Sequence, residues 1–206
     1  MKGNRAQILR NRVAREAALL LYTSQEKEYK QAKKRATETL GARLLPSNRE
    51  VAEELDRIAE EREGAQRKEL LLRMRREAKQ IMDVLKEFNP RLVGSVWRGT
   101  ARQNSDIDIL TFSQEHIQVL KQLQKHNFEA ESSEWRSVTK EGRKESSFHI
   151  HVILPSGDET EVVVRSLNYL GKSERCETYG DVKTGLSLNQ LTKILKENPL
   201  QKFVPT

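Results

Sequence analysis

The chain has 206 residues, with 37 Lys or Arg against 30 Asp or Glu, a net charge of +7. At 36% hydrophobic it can build one core and a small second unit. Its single cysteine, Cys176, excludes an internal disulfide framework and a cysteine zinc cluster. No stretch is patterned as a signal peptide or apolar enough for a membrane span, so a cytoplasmic protein is expected. The richness in Lys, Arg and Glu would suit a thermophile.

The charge excess has one location. Residues 1–36 hold ten Lys or Arg and three Glu, which accounts for the whole +7. Clustered positive charge is the footprint of a polyanionic partner. A helix is predicted over 5–22, where Leu9, Val13, Ala17 and Leu20 recur at helical spacing. Ser24 is expected to cap a second helix running to about Leu40 and carrying Lys27, Lys30, Lys33, Lys34 and Arg35. With only Tyr22 and Tyr29 nearby, phosphate contact by charge is expected rather than base stacking. A third, acidic helix is predicted from Arg49 to Arg62, able to pack against the basic pair. From Ala65 to Phe88 the residues Leu71, Met74, Ala78, Ile81, Leu85 and Phe88 form one apolar stripe, which Asn89-Pro90 ends. Gly64 is the expected boundary, with a basic helical extension at 1–64 and a second domain at 65–206.

Leu92-Val93 reads as a short strand entering Gly94-Ser95, with Arg98-Gly99 close behind. Asp106-Ile107-Asp108-Ile109 opens the next strand, and alternation puts Asp106 and Asp108 on one face. Two adjacent carboxylates repel one another; a hard divalent cation reverses that balance and bridges carboxylates to phosphates. A Gly-Ser turn allows close backbone approach to a phosphate and offers a hydroxyl. Ser113 should cap a helix over 114–125 with Ile117, Leu120 and Leu123 inward. Residues 128–147 carry little pattern; Trp135 to Lys140 could be a strand, Gly142 a turn, and Lys140, Arg143 and Lys144 a basic loop. Phe148–Leu154 and Thr160–Arg165 read as a hairpin. His149 and His151 share one strand face and are expected to be plain sheet residues lining the cleft at most. Ser187-Leu188-Asn189-Gln190 fits a capping box opening a last helix.

The run from 94 to 110, GSVWRGTARQNSDIDIL, resembles the DNA polymerase beta nucleotidyltransferase superfamily, whose pattern is Gly-Ser, x-x-Arg-Gly, then Asp-x-Asp and a third carboxylate on a later strand. The resemblance implies an α/β (α+β) fold with a small mixed or antiparallel sheet. It implies Gly94, Ser95, Arg98 and Gly99 at the nucleotide, and Asp106 and Asp108 as catalytic metal ligands. Glu161 falls where the third carboxylate would lie, though the usual residue there is Asp; Glu159 is the neighbouring candidate. The implied reaction moves an NMP from an NTP, ATP or CTP, to an acceptor hydroxyl with two Mg²⁺ ions. The basic N-terminus points to RNA, tRNA-like, as acceptor. Nucleotidylation of a partner protein, or an inactive RNA- or protein-binding module, are the alternatives.

Overall fold

The computed structural model describes residues 2–140 and 143–205, which form two compact units. One comprises the residues up to Arg67 together with Arg175–Asp181. The other comprises Lys68–Glu174 and Val182–Val204.

The first unit is helical: α1 (Lys2–Tyr22), α2 (Tyr29–Thr39) and the beginning of α3 (Asn48–Val84). Val13, Ala17, Leu20 and Leu21 of α1 pack with Ala32 and Ala36 of α2 and with Val51, Leu55 and Ile58 of α3. Acidic α3 does pair with basic α1. Arg10 forks onto Glu50 at 2.6 and 2.7 Å, and Arg15 reaches Glu54 and Glu61. Glu50 also accepts from the Ser47 N–H while Ser47 Oγ accepts from Glu50 N, a capping box that starts α3. The Arg10 guanidinium, aided by Ser47, holds the Glu50 carboxyl down at about 2. Ser24 does not cap α2. It sits in the left-handed region, and Gln25 and Glu26 donate back to the Leu20 carbonyl, so a closing turn of α1 occupies the residues before Tyr29.

Helix α3 is broken at Gly64 (φ 52°, ψ −123°). Its later part carries the expected stripe, with Met74, Ala78, Ile81 and Leu85 fully buried. A short 3-10 turn, Lys86–Phe88, and left-handed Asn89 bring the chain into β1 (Arg91–Val93). There follow α4 (Gly94–Arg98), β2 (Ile107–Phe112), α5 (His116–Lys125), β3 (Ala130–Lys140), β4 (Arg143–Ile153), β5 (Glu159–Arg165), β6 (Leu186–Ser187) and α6 (Leu188–Glu197).

The strands make one six-stranded mixed sheet, ordered β3-β4-β5-β2-β1-β6. Of these pairs β2–β5 is parallel and the others are antiparallel. Ile107, Ile109, Phe148, Ile150, Val152, Val162 and Val164 turn one face into the core, which α3, α5 (Val119, Leu123) and α6 (Leu191) complete. The opposite face carries Asp108, Glu161, His149 and His151. Helix α6 opens on the expected capping box of Ser187 and Gln190.

Two expectations change. Ile117 is 44% exposed, because Val119 and Leu123 set the buried stripe of α5 and His116 fills in beside Phe148 and Trp135. Strands β3 and β4 are longer than expected, paired from Ala130↔Val152 to Lys140↔Arg143. The expected turn at Gly142 lies outside the described residues, as do the side chains of Lys140, Arg143 and Lys144 in the expected basic loop.

Candidate active site

Strand β1 runs antiparallel to β2 with Val93 opposite Asp108, so the chain leaves β1 and enters α4 directly beside that carboxylate. The residue at this corner is Gly94, with φ at 68°. A Cβ there would lie 1.9 Å from Asp108 Oδ2 and 3.1 Å from Asp108 Cβ. Glycine is required twice over: for a left-handed backbone that L side chains rarely adopt, and for the space that Asp108 fills. Half-buried Ser95 follows in the first turn of α4, and its carbonyl accepts from the N–H groups of Gly99 and Thr100.

On β2 the burial alternates: Ile107 and Ile109 point to the core, Asp108 and Leu110 to the other face. Asp106 is exposed, just ahead of the strand. The parallel β2–β5 register sets Glu161 directly opposite Asp108. The electrostatics reflect this crowding. Burial first, then the charges of Asp106 and Glu161, push the Asp108 carboxyl from an ordinary 3.8 up to about 7, while Lys183 works in the opposite direction. Three acceptor-only groups thus act on one another around Asp108. A divalent cation bound to Asp106 and Asp108 would relieve their repulsion, so the donor set fits Mg²⁺ in its chemistry. Among the described residues no three His, Cys, Asp or Glu side chains stand together as a ready-made metal cage.

Glu161 is engaged on its other side. Its Oε1 accepts from Arg136 Nη1 and pairs with His149 Nδ1, both at 2.9 Å, and lies 3.6 Å from His151 Nε2. Arg136 also donates to Glu134, and its Nη2 is 3.3 Å from His151 Nε2. The outer ring nitrogen of His149 meets Ser147 Oγ at 2.8 Å. Both histidines therefore belong to the carboxylate's surroundings, which is more than the plain sheet role expected of them. Arg136 is a member of this group that sequence reasoning misses. It arrives through the β3–β4–β5 register, and nothing in its own neighbourhood of sequence signals that. Exposed Glu159 begins β5 on the same face as Glu161 and lines a shallow cleft with Glu134, Arg136 and His151.

Arg98 and Gly99 are placed differently. Arg98 is 4% exposed; its Nη1 donates to the Phe203 carbonyl at 2.8 Å, and its guanidinium stacks 4.2 Å from the Trp97 ring centroid. The Arg98 carbonyl accepts from Phe203 N, and Gly99 packs on the backbone of Gln201 and Lys202. The Arg98 guanidinium thus holds the C-terminal segment through Nη1, whereas the sequence pattern expects it at nucleotide phosphate. Arg75 completes this clamp. Fully buried on α3, it donates to the carbonyls of Val96, Trp97, Pro199 and Gln201 at 2.6–3.1 Å. Burial lowers its pKa to about 10, which leaves it charged at neutral pH.

Residues 75–172 match the family model described as a nucleotidyltransferase domain. No curated protein matches the chain in sequence. Among solved structures it is similar to Cid1 in complex with the UTP analogue UMPNPP, with 19% identity, a TM-score of 0.31, and coverage of 48% of this chain and 31% of that one. A cytoplasmic RNA terminal U-transferase gives 17% identity and a TM-score of 0.29, covering 50% and 29%. A further structure of the Cid1 poly(U) polymerase gives 18% and 0.29, covering 51% and 31%. The matched part of this chain thus spans about a third of each of those proteins. No helix among the described residues is long and apolar enough to cross a membrane. With its mixed sheet, its Gly94-Ser95 corner against Asp108 and its family match, the segment from 75 to 172 is a nucleotidyltransferase domain.

Proposed function

We propose that the chain transfers an NMP from a nucleoside triphosphate to a hydroxyl at the 3′ end of an RNA. The observation that carries this is Asp108, seated on the Gly94 corner and raised to about 7 by burial and by Asp106 and Glu161. Like charges crowded around a carboxyl in this way are costly unless they serve a ligand. Asp106 and Asp108, with Glu161 completing the second of two sites, would hold Mg²⁺, which when bound offsets triphosphate charge and favours ionisation of the acceptor hydroxyl. The chain's own residues supply the rest. The Gly94-Ser95 turn presents backbone and a hydroxyl to the triphosphate. Glu161, oriented by Arg136 and His149, stands at the acceptor side, where it can take the hydroxyl proton. The acceptor oxygen bonds to the α-phosphorus, the bond from that phosphorus to the bridging oxygen breaks, and pyrophosphate leaves in line.

RNA is favoured as acceptor by the N-terminal helices. Arg10, Arg15 and Arg35 are tied up in ion pairs and exposed Lys34 lies 3.9 Å from Glu38, while Lys27 and Lys30 of the α2 region are exposed. The test is incubation with each labelled NTP, Mg²⁺ and total cellular RNA or protein. Label on RNA supports this reading, whereas label confined to protein moves the acceptor to a partner polypeptide. No label anywhere, with RNA binding intact, leaves a binding module.

A further inference from the structure

Lys183 lies beyond the segment that matches the nucleotidyltransferase domain, and the reaction above does not use it. The backbone fixes its place. Strand β6 pairs antiparallel with β1, Leu186 opposite Leu92 and Ser187 opposite Arg91. Immediately before it, Gly185 packs so closely on β1 that a Cβ would lie 2.8 Å from the Leu92 carbonyl oxygen and 3.1 Å from Val93 Cγ1. Only glycine permits that approach. Arg91 Nη1 donates to the Thr184 carbonyl at 3.2 Å, and Lys183 N donates to the Glu174 carbonyl at 2.7 Å. Val93 is in turn the cross-strand partner of Asp108. Lys183 is therefore held two residues ahead of the point where the chain presses on the Val93–Asp108 pair. Its side chain is exposed, and among the described residues its ammonium makes no ion pair.

The strand order gives this cation a direction. Glu161, Arg136 and the two histidines lie on the β5–β4–β3 side of Asp108, and Lys183 lies on the β1–β6 side. In-line transfer at a phosphorus seated beside Asp108 places the attacking oxygen and the leaving group on opposite sides. If the acceptor meets Glu161, the departing phosphates point towards β1 and β6. We infer that Lys183 binds the β- and γ-phosphates of the triphosphate as a flexible point charge, an assignment that rests on the proposed role of Asp106 and Asp108. It would also steady the charge on pyrophosphate as it leaves.

The test is equilibrium binding, with Mg²⁺, of each of the four nucleoside triphosphates and their monophosphates to wild type, Lys183→Gln and Lys183→Arg. The Gln variant should weaken every triphosphate that wild type binds by about tenfold, as expected when a charge-assisted hydrogen bond is removed. Monophosphate affinity should stay within about twofold, and Arg should recover most of the loss. Unchanged triphosphate affinity in Lys183→Gln, or a loss shared equally by mono- and triphosphates, overturns the assignment. If wild type binds no triphosphate, the reading of the carboxylate site fails and this assignment with it.

Discussion

Replacing Asp108 by Asn should stabilise the metal-free protein, and by an amount that depends on pH. The folded chain raises the carboxyl from 3.8 to about 7. The folded state therefore binds the proton more tightly than the unfolded state, and stability falls as pH rises between those values. Below about 3.8 both states are protonated and no penalty exists; above about 7 the penalty is complete. Each tenfold in proton affinity is worth ~1.4 kcal/mol, so the ceiling is on the order of 4 kcal/mol. Local relaxation and water bring a realistic figure to about 2–3 kcal/mol. Asn keeps the shape over Gly94 without the charge. Urea unfolding in EDTA, followed by tryptophan fluorescence, reads the right part of the chain, since both tryptophans, Trp97 and Trp135, lie in the unit that holds the site. The Asn variant should exceed wild type by about 2–3 kcal/mol at pH 8 and by almost nothing near pH 4. Millimolar Mg²⁺ should then stabilise wild type and leave the variant nearly unchanged. An Asn variant that is less stable than wild type at pH 8, or an advantage that does not vary with pH, would refute the reasoning.

Other substitutions probe separate parts of the account. Gly94→Ala should cost ~1–2 kcal/mol for its left-handed backbone and, by displacing Asp108, about 100-fold in transfer rate; melting and turnover measured together check both. Arg75→Met leaves four carbonyls, those of Val96 and Trp97 buried and those of Pro199 and Gln201 partly buried, without their donor, so thermal unfolding should show a loss on the order of 3–5 kcal/mol. Arg98→Lys should lower stability by weakening the bond to Phe203 and the stacking on Trp97 while leaving nucleotide affinity within about twofold by isothermal titration, since its guanidinium is engaged by the C-terminal segment. Replacing Lys27, Lys30 and Lys34 with Gln should weaken RNA binding and flatten its salt dependence by about 0.7 for each single-strand phosphate no longer neutralised; filter binding across a salt series that shows the same slope in both proteins argues against the α2 surface.

The elements that sequence reveals best here are those whose signals are local. The stripe from Leu71 to Leu85, the capping box at Ser187 and Gln190, and the alternation across Ile107–Ile109 each report a face without reference to the rest of the chain. The Gly94 corner is readable for the same reason, because strand, turn and helix start lie within a few residues. What brings Asp108 and Glu161 together is a parallel register between segments some fifty residues apart, and alternation gives the face of each strand but not its partner. Residues 130–140 defeat periodicity altogether. As the edge strand β3 they are exposed almost throughout, Trp135 by 58%, so neither face is selected for apolar residues and Arg136 looks like any surface arginine. Arg98 shows the same limit at longer range. Its place three residues after Ser95 suits a phosphate ligand, and the competing partner, Phe203, lies 105 positions away with no sequence signal linking them.

The claim on which the rest depends is that Asp108 serves nucleotidyl transfer. The direct measurement is the single-turnover rate of pyrophosphate release from labelled NTP, with Mg²⁺ and an RNA acceptor, in wild type and in Asp108→Ala, each first shown to be folded by near-UV circular dichroism. Wild type should release pyrophosphate in step with label appearing on the RNA, and the folded variant should be slower by about a thousandfold or more, as when a group acting on the developing charge of the transition state is removed. Equal rates in the two proteins would contradict the account.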